Sequence, residues 1–257
     1  MNAMTILYEG LHCLFCAWLT YWLIGKTIAA PHHPMLYATT VAVVCLLLGD
    51  AYWLAHLIIR GNVPEILSAC DVAYVGMWLI FHAALPRPQK LSGRQAALAA
   101  LMGVFTVLNG VGWTVWTQHW LLNLIWTIPL FLLAVRSALL LDVRLNSLRG
   151  YLFLPLPGLL LAAETASFLW PEFWDSLNVL CAILWLCSLM LFAWLLKGKA
   201  PFRQLPIPAW MLLIVYCECA SLLSSDWAYF VFQVLLAGAI GYFARIVGKD
   251  GETLHAV

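Results

Sequence analysis

An all-α, polytopic membrane bundle of about nine transmembrane helices, N-terminus outside and C-terminus inside, is the fold class this sequence predicts. Three observations carry that expectation. The first is composition: of 257 residues, 64% are hydrophobic and 10% charged, with a mean hydropathy of +0.91. Soluble domains carry about 25% charged residues. No stretch is polar enough to build a separate soluble domain, so residues 1–257 read as a single transmembrane domain. The second observation is the spacing of the apolar runs, and the third is the placing of Lys and Arg.

A helix needs about 20 predominantly apolar residues to cross the hydrocarbon. Such runs fall at 6–28, 36–59, 65–85, 95–116, 119–141, 151–169, 174–196, 207–224 and 227–247. The first ends at Ala30-Pro31-His32-His33-Pro34. It has no basic residue ahead of its apolar core and no small-x-small cleavage site after it, so it reads as a retained helix rather than a cleaved leader. The second and third face each other across Gly61-Asn62-Val63-Pro64, and the third stops at Pro86-Arg87-Pro88. Trp170-Pro171 ends the sixth, and the segment from Pro201 to Pro208 separates the seventh from the eighth. The last hairpin turns over Ser221–Asp226. A re-entrant pair there would leave the chain ends on the same sides.

Membrane proteins concentrate Lys and Arg on the cytoplasmic side. With the N-terminus outside, the inner side receives Lys26, then Arg87, Lys90 and Arg94, then Arg136, Arg144 and Arg149. It also receives Lys197, Lys199 and Arg203, and finally Arg245 and Lys249, leaving Arg60 alone outside. The outer loops carry acids and aromatics instead, as in Trp170-Pro171-Glu172-Phe173-Trp174-Asp175. Tryptophans at segment ends, such as Trp120, Trp170 and Trp210, suit the headgroup belt. Trp53, Trp78, Trp113, Trp126 and Trp185 lie deeper, in core packing or a pocket wall. A net charge of +1 gives no footing for nucleic acid. The expected location is a bacterial inner (cytoplasmic) membrane, with the lipid bilayer as the first partner.

Five carboxylates fall within the helices: Glu9, Asp50, Asp71, Glu164 and Glu218. Under this topology all five lie in the outer half of the membrane. Such a group costs roughly 2.5–3.5 kcal/mol at the bilayer centre, so it turns toward other protein or a water-filled cavity. The expected ligand pocket is therefore outward and acidic, lined by Asp50, Asp71, Asn109, Glu164 and Glu218 with Trp53 and Trp113 as walls. The plainer alternative is structural, a protonated carboxyl bonded to a neighbouring helix. If several acids are ionised together, a histidine, a metal or a cationic ligand must balance them, because no buried Lys or Arg lies in that half.

Glu9-Gly10-Leu11-His12 puts a carboxylate and an imidazole on one helix face. Glu9, His12 and His56, with Asp50, are the candidates for holding a metal. Di-iron bundles add a second such motif and two further glutamates, which this chain lacks, and no cofactor is expected. Cys13-Leu14-Phe15-Cys16 and Cys217-Glu218-Cys219 have the close spacing of redox or metal pairs, although free cysteine in apolar helices ordinarily packs. No metalloprotease helix, nucleophile elbow or P-loop is present. The even-numbered segments place Asp50, Asn109, Glu164 and Glu218 at spacings of 59, 55 and 54. The returning segments answer with Asp71, Asn123, Asn178 and Gln233. This is the pattern of four outward hairpins of one kind behind an extra first helix.

Gly49-Asp50-Ala51-Tyr52-Trp53, followed by Ala69-Cys70-Asp71-Val72-Ala73-Tyr74, resembles a hairpin of the multi-helix membrane sensory domains of bacterial GGDEF and histidine-kinase signalling proteins. The likeness covers the stretch 46–86. It implies a signal-sensing bundle whose last helix drives a cytoplasmic output module. Only residues 248–257 follow the last apolar run, so the output is expected from a separate signalling or membrane protein. The Gly-Asp pair within a helical bundle is also similar to lysoplasmalogenase-type enzymes. Three functions stay open. The preferred one is a receptor, sensor or scaffold module for a small-molecule or cationic ligand. The others are a secondary transporter using the carboxylates as proton or cation sites, and an intramembrane hydrolase with Asp50 and Asp71 as an acid/base pair. An enzyme is the less expected class.

Overall fold

The computed structural model describes residues 3–64, 67–88, 92–141, 159, 162, 163, 166, 170–197, 206–222 and 226–253. Among these, every regular element is helical. They are α1 (Ala3–Ala29), α2 (Pro34–Arg60), α3 (Ala69–Ala84), α4 (Gly93–Thr117), α5 (Trp120–Leu140), α6 (Trp174–Lys197), α7 (Ile207–Leu222) and α8 (Asp226–Thr253). One 3-10 turn at Pro171–Phe173 leads into α6. Five spans are long and apolar enough to cross a membrane: Thr5–Ala29, Pro34–Arg60, Gly93–Val115, Trp120–Leu140 and Tyr229–Lys249. Ala69–Ala84 and Ile207–Leu222 are apolar but shorter. The sixth expected segment, 151–169, lies outside the described residues apart from four isolated positions.

The helix ends follow local chemistry. Pro34 opens α2, where its missing N–H is no loss, and the Leu36 N–H donates to His33 Nδ1 at 3.0 Å. Gly61 closes α2 with φ +72°, a left-handed geometry that glycine adopts without strain, and its N–H donates to the Leu57 carbonyl at 3.1 Å. The third segment, expected from residue 65, becomes helical only at Ala69. Ser68 and Asp71 form the capping box that fixes this start. Ser92 and Gln95 do the same for α4, with the Gln95 N–H donating to Ser92 Oγ at 3.2 Å.

The chain divides into two compact units, Met1–Leu85 with Ile240–Val257, and Pro86–Ala239. In the first, α1 packs on α2 and α2 on α3. The C-terminal part of α8 belongs to the same unit. Its Gly241 lies under the Phe15 ring, where a Cβ would come within 2.7 Å, and its Phe243 meets Phe81 edge-on at 6.0 Å. Lipid-length helices gain little from hydrophobicity alone. They associate by close packing, for which small residues open the space.

In the second unit α4 packs on α5, and α7 packs against α4, α5 and α6. Every residue of α7 from Ala209 to Ser221 is buried, which is why this helix is apolar on all sides rather than amphipathic. Around it lies an aromatic core. Trp185 meets Tyr216 edge-on at 5.1 Å and Phe232 at 5.7 Å, and Phe105 stacks on Tyr216 at 5.7 Å.

The close approach of α4 and α5 depends on Gly110. A Cβ there would collide with Thr127, whose hydroxyl is committed to the Asn123 carbonyl at 2.6 Å and cannot swing aside. Gly110→Ala is therefore expected to cost about 1–3 kcal/mol through overpacking, read from denaturant unfolding in detergent. Gly238→Ala, at a position with nothing within 4 Å, serves as the control. Equal stability of the two variants would refute this account of the α4–α5 contact.

Candidate functional site

The polar residues of the first unit converge on Asp50, which sits in the interior of α2 and is 4% exposed. Three helices supply its surroundings. Gly49, the preceding residue, leaves a bare patch of backbone on which the Tyr74 ring of α3 rests. A Cβ at position 49 would come within 2.5 Å of that ring. From this seat the Tyr74 hydroxyl donates to Asp50 Oδ1 at 2.7 Å. Helix α1 brings Tyr8, Glu9, His12 and Cys16 to the same place, all near one face of a 3.6-residue repeat. His12 Nδ1 stands 3.2 Å from Asp50 Oδ2, and His12 Nε2 stands 3.9 Å from Cys16 Sγ. The Tyr8 ring lies parallel to the imidazole, their centroids 6.3 Å apart. Glu9 is within electrostatic reach of both His12 and Asp50.

The two carboxylate oxygens are held differently. Oδ1 accepts the Tyr74 hydroxyl, whereas Oδ2 accepts no well-aligned hydrogen bond among the described residues. A buried carboxylate needs a compensating charge or full hydrogen bonding. Here the compensating group on Oδ2 is an imidazole, 15% exposed at its side chain. Cys16 is fully buried.

Asp71, the expected counterpart of Asp50, occupies the third position of α3. Its Oδ2 accepts the Ser68 N–H at 3.0 Å and the Ser68 hydroxyl at 3.3 Å. His56 Nδ1 lies 3.0 Å from the Asn62 carbonyl, at the turn that follows α2. Trp53 is half-buried on α2. The remaining expected pocket residues belong to the second unit. Asn109 is buried on α4, where its Nδ2 donates to the Phe105 carbonyl at 3.1 Å, and Trp113 is half-buried on the same helix. Glu218 is buried on α7. Asn123 Nδ2 donates to Thr117 Oγ1 at 2.9 Å, and Gln233 Nε2 donates to Ser221 Oγ at 3.2 Å. Glu164 and the side chain of Asn178 lie outside the described residues.

Two members of the cluster, Cys16 and Tyr74, were not among the expected site residues. Cys16 continues the Glu9-x-x-His12 face by one further turn, a spacing that could have marked it. Tyr74 is the last residue of the Ala69–Tyr74 motif on which the family resemblance rests. All eight cysteines are free.

Chemically the cluster offers one ligand atom each from His12, Cys16 and Asp50, all within 4.8 Å of one another. The same row of thiol, imidazole and carboxylate is the order used to activate a cysteine nucleophile. A Cys16 without exposed surface leaves no approach for an acyl group, so the arrangement suits a small ion better than covalent chemistry. No protein-family model matches the chain, and neither curated proteins nor solved structures yield a match.

Proposed function

We propose that this protein is an integral membrane receptor of a bacterial cytoplasmic membrane. Its Asp50 cluster takes a small cationic ligand from the outer side, and a separate signalling or membrane protein reads the response. The observation that carries this reading is the state of Asp50. It is a nearly inaccessible carboxylate in an apolar helix, anchored through one oxygen by Tyr74, with its other oxygen turned to His12 and free of any aligned hydrogen bond. A merely structural carboxylate is ordinarily satisfied on both oxygens.

The cluster draws on α1, α2 and α3 at once. A ligand that tightens His12 and Cys16 against Asp50 favours one placement of α1 over others, which is how binding becomes a conformational signal. The accompanying topology is nine spans, N-terminus outside and C-terminus inside, supported by the distribution of Lys and Arg. The hairpin repeat has one further support. Gly49 lies beside Asp50 and under Tyr74, and Gly110 lies beside Asn109 and under Thr127.

The test is a titration of tryptophan fluorescence in protein reconstituted into lipid nanodiscs, using a panel of divalent metal ions and organic amines. At least one cation should give a saturable change that Asp50→Asn abolishes. If no cation gives such a change in the wild type, the receptor reading falls. Fluorescence of a C-terminal green fluorescent protein fusion checks the topology, since that reporter matures only on the cytoplasmic side.

A further inference from the structure

We infer that His12, Cys16 and Asp50 are the protein ligands of one transition-metal ion of borderline softness, of which Zn2+ is the representative. This names the ligand of the receptor reading above and rests on it.

The distances fit. Around a tetrahedral Zn2+, with bonds of about 2.0–2.3 Å to N, O and S, neighbouring ligand atoms stand roughly 3.3–3.7 Å apart. One ligand atom each from His12, Cys16 and Asp50 lies within 4.8 Å of the other two, with His12 Nδ1 turned to Asp50 Oδ2 at 3.2 Å and His12 Nε2 to Cys16 Sγ at 3.9 Å. Binding one ion requires the imidazole to swing so that a single nitrogen faces it, and the three ligand atoms to close from within 4.8 Å to about 3.3–3.7 Å.

The donor chemistry selects the ion. One nitrogen, one sulfur and one oxygen exclude Ca2+ and Mg2+, which take oxygen shells, and match the borderline metals. Charge favours the same answer. A thiolate and a carboxylate against a divalent cation sum to zero, which suits a site enclosed by apolar helices. Coordination replaces the Cys16 thiol proton by the metal, and that proton leaves to water.

The surroundings are those of a supported site. Ligating carboxylates are themselves hydrogen-bonded by partners that fix their orientation, and the Tyr74 hydroxyl does this for Asp50 through Oδ1. That leaves Oδ2, buried and without an aligned hydrogen bond, as the oxygen offered to the ion. Cys16 and Asp50 are closed to solvent, so the open fourth position is on the partly exposed His12 side, where Glu9 or water completes it.

The experiment uses the full chain in detergent, stripped with chelator and titrated with Co2+, then with Zn2+ in competition. The expected result is one Co2+ per chain, displaced by Zn2+, with tetrahedral d–d bands and a thiolate-to-metal charge-transfer band. The charge-transfer band should vanish in Cys16→Ser and persist in Cys13→Ser. Tyr74→Phe, which removes one oxygen from a supporting group, should weaken binding about tenfold or more. Absence of stoichiometric Co2+ and Zn2+ binding by the wild type overturns the inference, as does a charge-transfer band that survives in Cys16→Ser. Should Cys16→Ser fail to fold, as judged by its elution and circular dichroism, Tyr74→Phe decides. Wild-type affinity in that variant refutes the site, and weakened affinity with an intact spectrum supports it. A protein that binds no metal but still responds to an organic amine through Asp50 loses only this inference. One that responds to neither loses the receptor reading as well.

Discussion

Asp50→Ala is expected to destabilise the protein by about 2–4 kcal/mol, the cost of leaving two buried polar partners unpaired, whereas loss of the Asp71 cap in Asp71→Ala should cost about 1 kcal/mol. In sequence the two aspartates look equivalent, each set in apolar surroundings on one arm of a hairpin. In the structure they do different work. Removing the Asp50 carboxylate takes away the acceptor of the Tyr74 hydroxyl and the partner of His12. Both of those groups then stay in a low-dielectric setting, where lost pairing is expensive. Removing the Asp71 carboxylate frees Ser68 at the first turn of α3. Urea or SDS unfolding in detergent, followed by far-ultraviolet circular dichroism, measures both. Equal losses would contradict this division of roles. Asp50→Asn, which keeps an acceptor for Tyr74, should fall between the two alanine variants.

Gly49→Ala should cost about 3 kcal/mol, combining overpacking with the loss of a hydrogen bond to a charged acceptor. A single methyl group at that position meets the Tyr74 ring at 2.5 Å. A ring is a rigid obstacle, so it must tilt away, and its hydroxyl leaves Asp50. The double-mutant cycle gives the decisive reading. In a Tyr74→Ala background the ring is gone, and Gly49→Ala should be nearly neutral. An equal cost in both backgrounds would mean that the glycine serves some other contact.

Much of the fold was legible in the sequence because membrane helices are encoded by length and composition, which need no knowledge of partners. The limits of α2 could be read from Pro34 and Gly61, since both residues act through their own backbone geometry. The start of α3 was also written locally, in the spacing of Ser68 and Asp71, but a hydrophobic run hides a capping box whose acid looks like an intramembrane charge. The site was legible in part. Asp50, His12 and Glu9 could be named from depth and spacing. Cys16 stood out only as half of the close-set Cys13–Cys16 pair and Tyr74 only as part of the hairpin likeness, because their roles depend on how α1 and α3 are rotated about their own axes against α2. That rotation is set by tight seats such as Gly49, and a glycine in an apolar run announces no direction. The residues expected to complete the pocket, Asn109, Glu218 and Trp113, belong to a separate compact unit from Asp50. A shared depth along the chain carries no information about lateral position.

The brevity of α3 bears on how the proposed ion would reach Asp50. Its 16 residues span roughly 24 Å at about 1.5 Å per residue, short of a hydrocarbon core about 30 Å thick. In the proposed nine-span topology a helix that short would be matched by thinning of the surrounding lipid, by snorkelling of its flanking residues or by association with other helices. Tyr74 is five residues beyond the first residue of α3, which puts the cluster only about 8 Å along the helix from its start. Such thinning around α3 would bring headgroups and water close to the carboxylate. A carboxyl that looks deeply sunk in the sequence would then be separated from the aqueous phase by about one and a half helical turns or less.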